Sequence, residues 1–201
     1  MKKHALILGV AAAALGLSAC NQGNNDGNSA APGQPSAAQK AAGDKTIAAG
    51  LGESSKFMAA AKAAGLDQTL AGPGPYTVFV PDDAAFGKAP EGTFNTDPKN
   101  RPQLTSAITN MILPGTVLVA DIDKAIDTSK GKASLATMGG DTLTATKEDG
   151  KTVLTDSKGN KATITQGDEQ YSNGVVHHVD GVLLSDKQAG ATPAVGDKAG
   201  Q

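Results

Sequence analysis

The sequence predicts an α+β domain, and two observations carry that reading. In the first half of the folded region apolar residues recur with a helical period. After Ala133 the period drops to two, in short runs separated by glycine-containing turns. Helices first and directly connected strands afterwards is an α+β order, because a tight hairpin joins antiparallel neighbours and cannot join parallel ones. A wedge of antiparallel strands with helices packed around it is the expected architecture.

In chain order, Ser54 or Ser55 caps a helix that turns Phe57, Ala60, Ala61 and Ala64 to one face, and Gly65 interrupts it before a continuation over residues 66–70. Gly72-Pro-Gly-Pro75 breaks the chain. Residues 76–80, Tyr-Thr-Val-Phe-Val, then read as a buried strand by their β-branched and aromatic content, with Pro81 ending it. Asp82 suits an N-cap for a short helix over residues 83–86 that turns Phe86 back to the core. Pro102 marks the start of a further helix, with Leu104, Ile108, Met111 and Ile112 on one stripe and Pro114-Gly115 as its stop. A shorter helical stretch covers residues 120–126. Strands are expected around Leu135, Leu143, residues 153–154, residues 162–164 and residues 175–184. Gly139-Gly140, Asp149-Gly150 and Lys158-Gly159-Asn160 supply the hairpin turns between them.

Composition bounds the rest. The 201 residues are 39% hydrophobic, 3% aromatic and 19% charged, which suits one modest domain with flanking segments. With 18 basic against 20 acidic residues and no block of like charge, nothing tracks a phosphate backbone, and nucleic acid is not an expected partner. A single Cys leaves no intrachain disulfide and no multi-thiolate zinc site.

The N-terminus carries an address. Lys2 and Lys3 precede an apolar run over residues 5–17, shorter than the roughly 20 residues that span a bilayer. The run closes on Leu17-Ser18-Ala19-Cys20, which resembles the lipobox of bacterial lipoproteins at all four positions. That resemblance implies a signal peptide over residues 1–19 and a diacylglycerol on Cys20, which becomes the first residue of the mature chain. A secreted protein cut at an A-x-A-like site is the competing reading. Removing residues 1–19 takes away Lys2 and Lys3 and leaves 16 basic against 20 acidic groups, a net charge of −4. An acidic body has no pull toward anionic headgroups, so the acyl chains must do the anchoring. Asn21 stands where the inner-membrane retention signal has Asp, which favours the outer membrane in a Gram-negative cell. Residues 21–45 lack any aromatic or branched aliphatic side chain and read as a disordered tether, with an end-to-end distance of roughly 25–30 Å. Residues 188–201 have the same character, so the domain is placed at residues 46–187.

Two blocks in that domain resemble the signatures of fasciclin (FAS1) domains. These are Thr77-Val-Phe-Val-Pro-Asp-Asp-Ala-Ala-Phe86 and Asn173-Gly-Val-Val-His-His-Val-Asp-Gly-Val-Leu-Leu184. The resemblance spans residues 46–185 and implies a compact α+β wedge found in secreted and surface-anchored proteins associated with adhesion and matrix contact. Two departures matter. The family's central helix often carries Tyr-His before its end, where this chain has Asn110-Met111, and Asp168-Glu169 occupies the place of an Asp-Ile found in some animal members. An integrin-type role therefore has no support, and Met111 reads as a flexible core filler.

Chemistry-bearing residues are few. His177 and His178 are adjacent on a strand, point to opposite faces and so cannot close on one metal. The resemblance implies that His177 hydrogen-bonds inside the domain, while His178 replaces an apolar residue and faces solvent or a ligand. Asp82-Asp83 after Pro81 has the pattern of a carboxylate pair, yet the same residues satisfy helix N-terminal donors. Ser172 is only a sequence neighbour of His177, with no G-x-S-x-G elbow. Gly72-Pro-Gly-Pro75 lacks the N–H groups of a phosphate loop. The expected protein is therefore not an enzyme and needs no cofactor, metal or catalytic residue. It presents a fasciclin-like module from the cell envelope, anchored through Cys20, to an envelope or extracellular partner whose binding residues the sequence does not mark. The alternative is a carrier of a small apolar ligand, or an envelope enzyme.

Overall fold

The computed structural model describes residues 43–184. Three short helices open the domain: α1 (Ile47–Leu51), α2 (Lys56–Ala64) and α3 (Asp67–Ala71). Thr46 caps α1 through its hydroxyl, which accepts from the Ala49 amide, and this helix inserts Ile47 fully into the core. The sequence reading had no helix here, because one buried isoleucine in five residues makes no period. Ser55 holds the N-cap position of α2 without a side-chain bond, and Gly65 closes that helix in the left-handed region.

Strand β1 (Tyr76–Pro81) follows the Gly-Pro turn, and α4 (Asp83–Lys88) follows β1, its start capped by Asp82, whose Oδ1 accepts from the Ala85 amide at 2.7 Å. Within α4 it is Ala85 that is fully buried. Phe86 lies half-buried and packs its ring at 4.5 Å from that of Phe94. A 3-10 turn over Pro98–Asn100 leads into α5 (Arg101–Thr109).

Here the predicted helix is too long. The chain leaves the helix after Thr109, and Ile112–Pro114 forms β2, antiparallel to β1 through Thr77↔Leu113. Met111 and Ile112 are fully buried, so the stripe was read correctly as core and wrongly as helix. A β-branched pair-maker followed by a proline suits a short edge strand as well as it suits a last helical turn.

Helix α6 (Val119–Thr128) precedes the run of strands β3 (Lys132–Ala136), β4 (Thr142–Glu148), β5 (Lys151–Thr155), β6 (Lys161–Tyr171) and β7 (Gly174–Val179). They pair in sequence as antiparallel hairpins, the first three over the predicted turns and β6–β7 over Ser172-Asn173, which the sequence reading did not mark, giving the sheet order β2-β1-β7-β6-β5-β4-β3. The α+β class holds. One pair departs from the antiparallel rule: β1 and β7 run parallel, with Phe79 opposite His177. The hairpin argument governs strands joined directly, and these two are separated by the rest of the domain.

Strand β6 links the two halves of the sheet. Its first residues pair with β5 and its remainder with β7, and register shifts between Ile164, Gln166 and Glu169 put a bulge in it, with Asp168 at φ 62°. The core is continuous, running from Phe57 and Leu70 through Phe79, Leu104 and Ile108 to Ile122, Leu143 and Leu154.

Candidate functional site

Strand β7 lies between β1 and β6, so its inward side chains are covered from both sides, and His177 is 0% exposed. Its Nε2–H donates to the Val117 carbonyl at 2.8 Å, and Nδ1 accepts from the Asp168 amide at 3.0 Å. Those partners fix a single neutral tautomer, because a backbone N–H requires a lone pair on Nδ1 and a carbonyl requires a proton on Nε2. The ring also stacks on Phe79, with centroids 5.6 Å apart. Burial pushes the imidazole pKa down. The Val117 carbonyl and the Asp168 carboxylate, 3.9 Å from Nδ1, pull the other way, and the net direction is downward.

The groups that meet His177 are themselves held. Thr77, fully buried on β1, donates its hydroxyl to the Gly115 carbonyl and accepts from the Val117 amide, both at 2.8 Å, which pins the connection that presents Val117 to the imidazole. On the other side the β6 bulge turns Asp168 so that its Oδ1 accepts from the Val119 amide at 2.9 Å, capping the first turn of α6 from a distant strand. Gly167 allows this approach, since a Cβ there would lie 2.4 Å from Val119 Cγ2 and 3.3 Å from His177 Nδ1. The buried imidazole thus ties β1, the 115–118 connection, the β6 bulge and α6 together.

His178 points to the opposite face, with its side chain 30% exposed. Its Nε2 lies 3.0 Å from Glu169 Oε2, and the Tyr171 hydroxyl donates to Glu169 Oε1 at 2.7 Å. Burial, then the bond and the negative charge of Glu169, hold the Tyr171 phenol far above its usual pKa, so it stays protonated.

Ser172 and His177 do not meet as a nucleophile and base. Ser172 is exposed in the turn before β7, and both nitrogens of His177 are engaged elsewhere. Asp82 is the cap described above, and Asp83 is exposed with Lys56 Nζ 3.8 Å away. Asn110 and Met111 are fully buried. Thr137 Oγ1 donates to Asn110 Oδ1 at 3.1 Å, tying the end of α5 to the β3–β4 turn, while Met111 fills core space. Among the described residues no three His, Cys, Asp or Glu side chains are grouped as a metal site requires. Residues 1–19, Cys20, residues 21–42 of the tether and residues 185–201 lie outside the described residues, while the Lys45 carbonyl at the end of the tether accepts from the Ser172 amide at 2.8 Å.

Sequence reasoning missed Asn173. Only 7% exposed, it accepts from the Ile47 amide through Oδ1, and its Nδ2 donates to the Leu70 and Gly72 carbonyls, all at 2.8 Å. Its own carbonyl accepts from the Tyr76 amide at 3.0 Å. One turn asparagine therefore joins α1, the end of α3, the Gly-Pro turn and the start of β1. Ser-Asn-Gly at a strand start was the available signal, but it reads first as an exposed turn.

Two open clefts flank this junction. One, about 690 Å³, lies between the Gly72–Pro75 turn, the 116–118 connection and the β6–β7 turn. The other, about 660 Å³, lies among α1, α2 and α3 over Met58, with Glu53, Lys62 and Asp67 on its walls. The small-ligand alternative placed a pocket at a helix–strand junction, which corresponds to the first of these.

The described residues form a seven-stranded α+β domain in which a buried histidine and a turn asparagine brace the sheet, and of the acidic pair Asp82 caps α4. Comparison with known proteins gives the class its name. The fasciclin domain family matches residues 52–185, and the chain belongs to that family. It is 36% identical to the protein sll1483 of Synechocystis sp. over 140 residues, which is 69% of this chain and 71% of that one. It is 29% identical to the transforming growth factor-beta-induced protein ig-h3 of Sus scrofa over 130 residues, 64% of this chain but 17% of the longer relative. Among solved structures the fold resembles that of a FAS1 domain pair from the insect cell adhesion molecule Fasciclin I. The TM-score is 0.54 at 21% identity, over 73% of this chain and 53% of that one.

Proposed function

We propose that this chain is a lipid-anchored cell-envelope protein that presents its single fasciclin domain for non-catalytic binding, as an attachment module for matrix or envelope components. The observation that carries the reading is the match of residues 52–185 to the fasciclin family, a solved relative of which is described as a cell adhesion molecule. Leu17-Ser-Ala-Cys20 and the 21–45 segment supply the anchor and the reach, with the outer membrane as the site in a Gram-negative cell. No helix among the described residues is long and apolar enough to cross a membrane, so the anchoring assigned here rests on Cys20. The buried imidazole supports the non-catalytic part, because a general base must have a nitrogen within reach of a substrate proton, and neither nitrogen of His177 faces solvent.

The test has two arms. Mass spectrometry of membrane-extracted protein should find Cys20 acylated and at the N-terminus, and recovery of a free Cys20 thiol in the mature chain sinks the anchor. Deleting residues 21–45 while keeping Cys20 should weaken attachment of cells or envelopes to their partner without unfolding the domain, as judged by circular dichroism. Equal attachment by both forms, or turnover of a small substrate at enzymatic rates, moves the reading to a carrier or enzyme using one of the two clefts.

A further inference from the structure

The cleft at the Asn173 junction differs from its neighbours in one chemical respect. None of the fourteen residues lining it is charged, although 19% of the chain is, and each of four other clefts on the domain carries at least one charged side chain on its wall. An acidic or phosphorylated ligand would find no cation there.

The lining offers two kinds of contact. Thr116, Gln170 and Ser172 are exposed on the rim, and their side chains form no hydrogen bond to another described residue. Two hydroxyls and one amide therefore stand free as both donors and acceptors. The same lining includes Pro73, Pro75 and Leu118, which offer C–H surface.

The trough is also rigid. Asn173 fastens it from below with three side-chain bonds. The two backbones that form its walls touch, since a Cβ on Gly74 would lie 2.0 Å from the Asn173 carbonyl oxygen and one on Gly174 2.0 Å from that of Tyr76. A site that is already ordered costs little to order on binding.

We propose that this trough is a binding site for a neutral glycan strand. A sugar chain combines hydroxyl edges with C–H faces, and the lining combines two free hydroxyls and an amide with proline and leucine C–H surface and no charge. An extended peptide fits less well. Peptides gain affinity by adding to a free strand edge. Strand β7 has partners on both sides and β1 has β7 and β2 beside the trough, which leaves the outer edge of residues 164–171 of β6, paired with β7 alone, as the one edge that the peptide probe below must test. The volume, about 690 Å³, lies in the range of small-molecule sites. This names a partner class for the attachment reading of the domain and rests on that reading only for its biological setting, since the trough exists whether or not the chain is anchored.

The test is a titration of the ¹⁵N-labelled full chain in a sugar-free detergent, following backbone amide shifts. The probes are neutral hexasaccharides of glucose, α- and β-linked, and of N-acetylglucosamine, with an oligogalacturonate and a Gly/Pro-rich peptide beside them. At least one neutral hexasaccharide should bind saturably and shift the amides of Thr116, Gln170, Ser172 and Gly174. Ser172→Asp combined with Gln170→Glu, both at exposed positions, should raise its dissociation constant about tenfold or more while leaving the melting temperature unchanged. Absence of shifts with every neutral probe up to about 10 mM, shifts confined to another face, undiminished binding by the double variant, or seating of the uronate or the peptide in the trough would each overturn the proposal. Cells that still attach through the domain when the trough is empty would remove this site and leave the attachment reading standing.

Discussion

Replacing Asn173 by alanine should be among the costliest truncations of a polar side chain in the domain, beside that of Asp156, whose buried carboxylate accepts four hydrogen bonds. The amide satisfies three backbone groups on two segments, the Ile47 N–H of α1 and the Leu70 and Gly72 carbonyls at the end of α3, each at 2.8 Å. A stranded buried partner costs about 1–3 kcal/mol, less where water enters. Two of the three bonds are buried and the Gly72 bond is partly so, which places the loss at roughly 3–5 kcal/mol, a large share of the 5–15 kcal/mol typical of a domain. In a domain of this size that is a fall in melting temperature of roughly 10–15 °C.

Asn173→Asp separates this account from generic disruption. The carboxylate keeps an acceptor for Ile47 but loses the donor and sets negative charge against two carbonyl oxygens. Its folded-state pKa must therefore rise above the ordinary value of about 4. A raised acid pKa favours the folded state when the group is protonated, so the deficit relative to wild type should be smallest near pH 4 and should grow as pH rises through the folded-state value. Urea unfolding of the full chain and both variants at pH 4 and pH 7, followed by circular dichroism, measures it. An alanine variant within about 1 kcal/mol of wild type, or an aspartate deficit that does not change with pH, would refute the reasoning.

Three further outcomes follow from the bracing around His177. Because burial lowers its folded-state pKa, the unfolded chain binds the extra proton below about pH 6.5, and stability should fall as pH drops from 7.5 to 5.5. His177→Gln should be less stable at pH 7.5 and should show a shallower fall in parallel urea titrations, and an unchanged slope argues against the neutral buried imidazole. Gly167→Ala should cost about 1–3 kcal/mol by driving a methyl into Val119, and adding Val119→Ala should cost less than the sum of the two single changes in a double-mutant cycle. Asp82→Ala should cost about 1 kcal/mol through loss of the α4 cap, read as a shift in the urea midpoint, and a neutral result would mean that the solvent replaces that bond.

The elements that sequence made legible are those whose signal is local. The strands from β3 to β6 and their Gly turns follow from a period of two and from turn chemistry, and β1 from its β-branched run between proline breakers. What escaped is set by partners far along the chain. The stripe of Leu104, Ile108, Met111 and Ile112 marks burial correctly, but whether Ile112 ends a helix or starts β2 depends on the backbone of β1, more than thirty residues earlier. The parallel β1·β7 pairing and the α1 anchor are of the same kind. Near the site, the internal bonding of His177 came from the family resemblance and not from its spacing. Asn173 and the Gly167-Asp168 bulge carried no local mark, because a polar residue in a turn is exposed by default and these are instead enclosed by segments that arrive later or earlier in the fold.

The chain has no Trp, two Tyr and four Phe, so the large aromatic areas that commonly lock a core of this size are scarce. In their place stand polar junctions that each fasten two or more segments: His177 with Val117 and Asp168, Thr77 with the 115–118 connection, and Asn173 with α1, α3 and the turn before β1. A junction of this kind fixes geometry more sharply than an aliphatic contact, because each bond is directional and its loss leaves a buried group unpaired. It also consumes the side chain. His177 is thus enclosed and committed through both ring nitrogens and Asp82 is committed to its cap, while free hydrogen-bonding capacity lies on the exposed uncharged side chains of Thr116, Gln170 and Ser172. Such a division suits a protein that works by holding a surface in place, and under the glycan proposal the residues that would decide partner choice are Thr116, Gln170 and Ser172 and not the histidines of the signature.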